Sequence, residues 1–232
     1  MVWRRIKENI DQLGVVNALL YQLSRVLNKV SGGHVRLIKY NIVAQPVPAV
    51  TSNNLRPSTS SPVRLVTAAD PVVVHFPRPQ TVIFSRFESG AMCFVAEVRS
   101  KFAGYLWLAF RGYDEDEVRC RYELASPEIS IWDYDVYVDP EFRMGRTFAR
   151  LWEAANMELA SRNIDWSYSR ISAFNPGSVA AHRRLGIRNL FTATFVCFGS
   201  MQLALLGVSP FVHLSWSSAS KPLLRLKVPA AW

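Results

Sequence analysis

The chain has 232 residues, of which half are hydrophobic and 19% are charged, and this composition excludes a wholly disordered protein. The formal net charge is +9, with +5 in residues 1–40, +3 in residues 221–232 and a nearly neutral middle. A nucleic-acid-binding protein usually carries its basic excess across the functional domain. The distribution therefore excludes nucleic acid as a partner and favours a membrane surface or an acidic protein, with solvated terminal charges as the alternative.

Residues 2–30 have apolar side chains at helical spacing, and Ser31-Gly32-Gly33 ends the run. Gly14 predicts a break between two shorter helices. Because bases cluster at its start, this amphipathic segment either makes peripheral contact with a membrane or packs on the domain or a second subunit. We assign residues 1–44 to an N-terminal amphipathic helical segment and residues 45–62, rich in Pro, Ser and Asn, to a linker or loop.

Residues 63–232 are predicted to form the main domain. Its predicted strands are Val63–Thr67, Thr81–Phe87, Ala91–Val98, Gly104–Arg111, Val118–Leu124, Ile129–Val138, Trp166–Ala173, Leu190–Phe198, Phe211–Trp216 and Leu223–Val228. A helix is predicted over about 144–162, from apolar positions at i, i+3, i+4, i+7 and i+11, and a short helix over about Gly177–Leu185. Antiparallel hairpins followed by alternating strands and helices predict an α+β fold with helices on the faces of the sheet.

No C-x-x-C or Cys/His cluster is present, so the sequence predicts neither a metal site nor redox chemistry. The three cysteines lie in apolar runs and are expected to be buried free thiols: Cys93, Cys120 and Cys197. No run approaches the roughly 20 apolar residues of a spanning helix, and no signal-peptide pattern is seen. These features predict a cytoplasmic protein, either free or peripheral to a membrane.

Three segments occur in an order and at spacings that resemble the GNAT superfamily of acyltransferases. They are the hairpin CFVAEVRSKFAGYLWL, the strand–turn–helix VYVDPEFRMGRTFARLW and the later NPGSVAAHRRLG. The resemblance covers about residues 63–200 and implies a central mixed, mostly antiparallel sheet flanked by helices. It also implies transfer of an acyl group from a thioester to an amine.

In this family the turn between the second segment's strand and its helix holds the pyrophosphate of coenzyme A, because helix N-termini attract anions. The resemblance assigns donor binding to the end of the strand, to the turn and to the start of the third segment. The residues are Tyr137, Val138, Arg143, Met144, Gly145, Arg146, Thr147 and Asn175. Arg146 and Phe148 stand where the family has glycine or alanine. The donor is therefore either acyl-CoA or the acyl-phosphopantetheine of an acidic acyl carrier protein.

Acyl transfer needs a base for the amine and an acid for the leaving thiolate. His182 stands where the family has its tyrosine acid, and it is the candidate acid. The alternatives are a hydrogen-bonding contact to the pantetheine sulfur and a helix-surface histidine without a role. Asp135 is the first candidate base and Asp133 the second, because strand alternation puts both on one face. The alternative for each is an ion pair with an arginine of a neighbouring strand: Arg119, Arg121 or Arg170.

The sequence thus predicts an N-acyltransferase that uses direct attack of an amine on an acyl thioester, with no covalent enzyme intermediate. The acceptor would be a small amine or an amino acid, and the hydrophobic composition favours a medium or long acyl chain. Two alternatives stay open. One is a non-catalytic thioester-binding module of the same fold, and the other is a membrane-associated interaction protein.

Overall fold

A computed structural model describes residues 2–48 and 58–229. The chain divides into two compact units. The first contains residues 2–46, 112–125 and 168–229, and the second contains the described residues of 47–111 together with 126–167. Within these described ranges, no helix is both long enough and apolar enough to cross a bilayer.

In chain order the helices and strands are α1 (Val2–Leu13), α2 (Val15–Val30), β1 (Val35–Pro46), β2 (Val63–Val66), α3 (Gln80–Glu88), β3 (Met92–Val98), β4 (Lys101–Ala109), β5 (Gly112–Asp114), β6 (Arg121–Leu124), β7 (Ser130–Val138), α4 (Thr147–Ser161), β8 (Trp166–Ser172), α5 (Pro176–Arg183), β9 (Arg188–Phe198), β10 (Met201–Leu206), β11 (Val212–Ser215) and β12 (Leu223–Leu226). Short 3₁₀ turns cover Pro71–His75 and Pro140–Phe142.

The first unit begins with the two helices predicted for residues 2–30. Gly14 separates them with φ of +76°, a backbone conformation that glycine adopts without a steric cost. α2 packs on β1, where the Ser24 hydroxyl donates to the Leu37 carbonyl over 2.8 Å. The predicted break is therefore confirmed, and α2 packs on a strand of its own unit.

The strands of the first unit run in the order β11-β10-β9-β1-β8, and a small sheet has the order β12-β6-β5. β9 lies antiparallel to both β1 and β10. One face of this sheet is buried, with Tyr40, Phe195 and Ala204 fully enclosed. β1 is an element that the sequence reasoning missed, because it was included in the helical segment assigned to residues 1–44.

The strands of the second unit run in the order β7-β4-β3-β2, and each neighbouring pair is antiparallel. The β3–β4 hairpin closes through Arg99 and Ser100, both at positive φ, as a two-residue turn of the type that matches strand twist. Gly104 lies opposite Val138, and a Cβ there would overlap the Tyr137 carbonyl oxygen. Only glycine lets β4 approach β7 this closely at the point where β7 ends.

Helical elements cover the strands of the second unit. Residues 71–88 pack on one face, where Phe76 and Ile83 join the core around Trp107. The alternate side chains of β4 point the other way, and α4 packs against β2, β3 and β4 on that face. Mostly antiparallel sheet flanked by helices confirms the predicted α+β class.

The strand predicted over Thr81–Phe87 is wrong: these residues form α3, which buries Ile83 and Arg86 three positions apart. Of the linker predicted over residues 45–62, residues 45 and 46 form the end of β1 instead, and residues 49–57 lie outside the described part of the chain. The predicted buried free thiols are confirmed at all three cysteines.

Candidate active site

The segment between β7 and α4 is fastened to the end of the strand at two points. The Asp139 carboxylate accepts a hydrogen bond from the Glu141 amide over 2.9 Å and so caps the 3₁₀ turn. The Arg143 Nε atom donates to the Val138 carbonyl over 3.0 Å. Arg143 therefore braces the turn from the strand end, at a position that the sequence assigned to donor binding.

α4 begins with its first turn facing a small cleft. The first backbone hydrogen bond of the helix runs from the Arg150 amide to the Arg146 carbonyl over 2.9 Å, and the side chain of Arg146, the N-cap residue, makes no capping hydrogen bond. The amides of the first helical turn precede that bond, so they have no acceptor inside the helix. Together with the helix dipole they give this end of α4 a partial positive charge.

The cleft in front of α4 has a volume of about 320 Å³. It is lined by Ser61, Val98, Glu141, Phe142, Gly145, Arg146, Thr147 and Arg150. Glu141 is the one carboxylate of this lining, and it lies 3.7 Å from the Lys101 ammonium. Arginine side chains beside a helix N-terminus make an anion site, and a phosphate is the anion that such a site commonly takes.

The structure brings three of the predicted phosphate-binding residues together at this cleft, namely Gly145, Arg146 and Thr147. Met144 does not line it, and its side chain is 99% exposed. Phe148 does not line it either, because its ring packs edge-on against Trp152 one turn further along α4, with ring centroids 6.5 Å apart. The aromatic ring that stands in place of a small residue therefore leaves the cleft open.

A second cleft in this unit, of about 820 Å³, carries both signs of charge. Its arginine, Arg64, is already paired with Asp70 and with Glu97. Lys101 and Asp139 add one charge of each sign to the lining. The smaller cleft at α4 is therefore the more cationic of the two.

A β-bulge interrupts the pairing of β4 with β7. Tyr105 lies opposite Tyr137 and Trp107 lies opposite Tyr134, so β7 has one residue more than β4 between these pairs. Asp135, in the bulge, has φ of +49°. The extra residue shifts the alternation of side chains along β7 by one position, so Tyr134 and Tyr137 lie on the same face of the sheet. There Tyr137 packs against Tyr105, and Tyr134 packs against Trp107.

The prediction that Asp133 and Asp135 share one face of β7 is therefore wrong. Asp133 lies opposite Leu108, on the face away from Trp107, and it accepts a hydrogen bond from the Ser167 hydroxyl over 2.7 Å. Asp135 contacts the Tyr105 hydroxyl on the opposite face, over 3.0 Å. The bulge causes this separation, because it shifts the period-two pattern by one residue.

Asp135 is held by two arginines. Arg78 binds it through two hydrogen bonds, of 3.0 Å from Nε and 2.6 Å from Nη2, and Arg86 donates from Nη1 over 2.5 Å. The Arg86 guanidinium lies over the rings of Trp107 and Tyr134. Both arginines come from residues 78–86, so the predicted alternative of a strand arginine is wrong for Asp135.

This environment controls the ionisation of Asp135. Burial alone would raise the pKa of its carboxyl, but the hydrogen bonds and charges of Arg78 and Arg86 outweigh burial and hold the pKa below its usual value. A carboxylate with a lowered pKa is a weak base. The role of Asp135 as the catalytic base stays a prediction, and the contacts favour a structural role.

Asn175 and His182 lie in the first unit, on α5. The Asn175 carboxamide oxygen caps the helix by accepting from the Ser178 amide over 3.0 Å. His182 is buried, and its Nδ1 atom lies 2.8 Å from the Ser178 carbonyl oxygen, so that nitrogen carries the proton. Burial lowers the pKa of His182, opposed by this hydrogen bond. A neutral imidazole at pH 7 is suited to accepting a proton rather than donating one.

Several residues of these sites escaped the sequence reasoning. Arg78, Arg86 and Tyr105 surround Asp135, but nothing in the sequence pattern connects them to it across 30 to 57 positions. Arg150 was detectable, because a helix predicted to start near residue 144 places a basic residue in its first turns. Among the described residues, no group of three or more His, Cys, Asp or Glu side chains could hold a metal ion.

Solved structures with a similar fold include a GNAT protein and two further proteins. A tandem GNAT protein from the clavulanic acid biosynthesis pathway matches 74% of this chain with a TM-score of 0.50 and 14% identity. A conserved protein of unknown function from Staphylococcus epidermidis matches 75%, with a TM-score of 0.50 and 12% identity, and a Drosophila protein matches 73%, with 0.50 and 13%.

This chain spans 57% of the tandem protein, 67% of the Staphylococcus protein and 54% of the Drosophila protein. At these identities the likeness establishes the fold alone. No family model matches the sequence. No curated protein matches it either.

Proposed function

We propose that this protein is an N-acyltransferase that binds a phosphate-bearing acyl thioester at the start of α4. The observation that carries the proposal is the cleft of about 320 Å³ where Arg146 and Arg150 adjoin the first turn of that helix. A helix N-terminus with flanking arginines binds a phosphate through its amides, its dipole and charge-assisted hydrogen bonds. The GNAT fold supports the same reaction class.

Acyl-CoA is the donor that we favour. Phe148 packs on Trp152 and leaves the cleft open, so the loss of a small residue at this position does not by itself bar a pyrophosphate. The phosphopantetheine of an acidic carrier protein remains the competing donor, because it presents one phosphate to the same amides. The hydrophobic composition supports a medium or long acyl chain, and the acceptor would be a small amine or an amino acid.

The reaction is one displacement at the thioester carbonyl. The amine nitrogen attacks the carbonyl carbon, the carbon–sulfur bond breaks after a tetrahedral intermediate, and the proton lost by the nitrogen balances the one gained by the thiolate. A backbone amide of the β7 bulge would stabilise the oxyanion, since a bulge leaves the ladder locally interrupted. Within the second unit, which holds the cleft and the bulge, Asp133 is the proposed proton acceptor for the amine.

No thiol of the enzyme takes part in the proposed reaction. All three cysteines are buried, and burial raises the pKa of Cys120 to about 12 and that of Cys93 higher still. A thiol that stays protonated at pH 7 is a poor nucleophile. Direct attack by the amine therefore fits the chain better than a covalent acyl-enzyme.

The test is the release of free thiol from a panel of acyl-CoA and acyl-carrier-protein donors, from acetyl to palmitoyl, against a pool of amines and amino acids. We expect turnover with acyl-CoA. Turnover confined to carrier-protein donors would show that the donor is an acyl carrier protein, and it would leave the proposed reaction unchanged. Absence of turnover across the panel, with folded protein, would overturn the proposal.

A second candidate function is a thioester-binding module without turnover. The contacts of Asp135 favour it, because the first candidate base is already paired with two arginines. This alternative predicts that coenzyme A binds in a calorimeter while the donor panel gives no thiol. Binding and turnover measured on one preparation separate the two functions.

A further inference from the structure

The outer face of α2 is a continuous apolar stripe. It consists of Val16, Leu19, Leu23, Val26 and Val30, whose side chains are between 45% and 82% exposed. Their spacing alternates between three and four residues, so they form one line along the helix. The opposite side of α2 faces β1, through Ala18 and Ser24. An apolar line of this length is not needed to pack α2 on its own sheet.

The sheet face on which α2 lies is also apolar and open beyond the helix. The Lys39 ammonium donates a hydrogen bond to the Asn17 side-chain oxygen of α2 over 2.9 Å, so the Lys39 side chain is on the sheet face that α2 covers. Across the strands, Lys39 is followed by Thr194, Leu205 and Val212, which point to the same side. Leu205 is 45% exposed and Val212 is 59% exposed.

The neighbouring rows of this face extend the same surface. Leu37 is followed by Val196, Leu203 and Leu214, and Leu214 is largely exposed. Phe198, the last residue of β9, and Trp216, which directly follows β11, are each about 60% exposed. Exposed aromatic rings at the edge of an apolar face are typical of proteins that lie at the lipid headgroup level.

The whole net charge of the protein belongs to this unit. The first unit holds 16 of the 27 Lys and Arg residues but only 7 of the 18 Asp and Glu residues, whereas the second unit holds 11 of each. α2 has two bases, Arg25 and Lys29, and no acid. Two copies joined through this face would bring like charges together, so the charge favours an anionic partner over a second copy.

We propose that the first unit docks on an anionic lipid bilayer through the exposed stripe of α2. The apolar side chains would enter the boundary between headgroups and acyl chains, while Arg25 and Lys29 stay at the level of the lipid phosphates. The open sheet face beside α2 extends the apolar area available for this contact. The proposal does not depend on the acyltransferase activity, because every residue that carries it lies outside the α4 cleft.

The test is co-sedimentation of the full chain with vesicles of phosphatidylcholine alone or of an equal mixture with phosphatidylglycerol. We expect the chain to bind the mixed vesicles at least about tenfold more tightly than vesicles of phosphatidylcholine alone. Binding to the mixed vesicles should weaken with added salt. The triple variant L19Q/L23Q/V26Q should lose about tenfold or more in binding. Its thermal transition should stay near that of the wild type, because the three side chains are exposed.

The matched control is V74Q/V82Q/F84Q, which replaces exposed apolar side chains of the second unit. It should bind the mixed vesicles as the wild type does. Equal binding of wild type and triple α2 variant, or no binding at all, would overturn the proposal. A dimer in light scattering that the triple variant converts to a monomer would overturn it in favour of a second copy. Capture of an acidic carrier protein through the stripe, without vesicle binding, would overturn it in favour of that protein.

Discussion

Replacing Asp135 by asparagine separates a structural carboxylate from a catalytic one. The change removes the charge that pairs with Arg78 and Arg86. The Arg86 side chain is only 9% exposed, so its guanidinium would be left largely buried without a counter-ion, whereas the Arg78 side chain, 46% exposed, can turn to water. Removing one partner of a buried pair typically costs 3–5 kcal/mol; because one arginine is half exposed, we expect about 3 kcal/mol.

The assay is thermal and urea denaturation of wild type and Asp135→Asn. For a chain of this size about 3 kcal/mol corresponds to a fall of roughly 9 °C in Tm. The matched control is Asp70→Asn, which makes the same chemical change in the more exposed pair with Arg64 and should cost about 1 kcal/mol or less.

The pH dependence gives a second readout. Because the folded pKa of Asp135 lies below its unfolded value, its contribution to stability is present above the unfolded pKa of about 4 and is lost as the pH falls through the folded pKa. The variant should therefore lose less stability than the wild type on acidification. An Asp135→Asn protein with unchanged Tm and a large loss of kcat would refute the structural role and identify Asp135 as the base.

Three further outcomes are expected. Gly104→Ala should lower Tm by several degrees and weaken donor binding, because the added Cβ overlaps the Tyr137 carbonyl at the end of β7. The control is Gly177→Ala, whose added Cβ makes only ordinary contacts and should leave Tm and donor binding unchanged. Arg170→Leu should lower the free energy of unfolding in urea by about 3–5 kcal/mol, because its partner Glu115, at 2.7 Å, has no exposed side-chain surface and would be left buried without a counter-ion. A loss below about 1 kcal/mol would contradict the assignment of a buried ion pair. The native protein should react negligibly with an aromatic disulfide reagent and all three thiols should react after denaturation; rapid native labelling would contradict the assigned burial.

The parts of the fold that were predictable are those fixed by local pattern. α4 follows from apolar residues three and four positions apart, and its buried Trp152, Ala155 and Leu159 have that spacing. The break at Gly14 likewise follows from one residue. Such signals need no knowledge of what the element packs against.

α3 was predicted as a strand because Thr81, Val82 and Ile83 are β-branched and favour strands. In the structure, tertiary packing decides: a helix puts Ile83 into the core around Trp107 and brings Arg86 to Asp135. The competing contacts come from β4 and β7, which a local pattern does not contain.

The candidate site divides in the same way. The place of the cleft at the start of α4 was predictable, because the strand, the turn and the helix beside it are consecutive in the chain. The arrangement around Asp135 was not, since one extra residue in β7 reverses which face each later side chain occupies. The bulge arises from the pairing of β7 with β4, and the pattern of apolar and polar residues in the β7 sequence does not predict it.

The most direct test of the central claim is a calorimetric titration of coenzyme A into the wild type and into R146A/R150A. Charge-assisted hydrogen bonds contribute about 1.5–3 kcal/mol each, so the double variant should bind at least tenfold more weakly. The control is Arg162→Ala, at the far end of α4, where the arginine pairs with Glu158 in solvent. A double variant that binds coenzyme A as tightly as the wild type would contradict the claim that the start of α4 holds the phosphate of the donor.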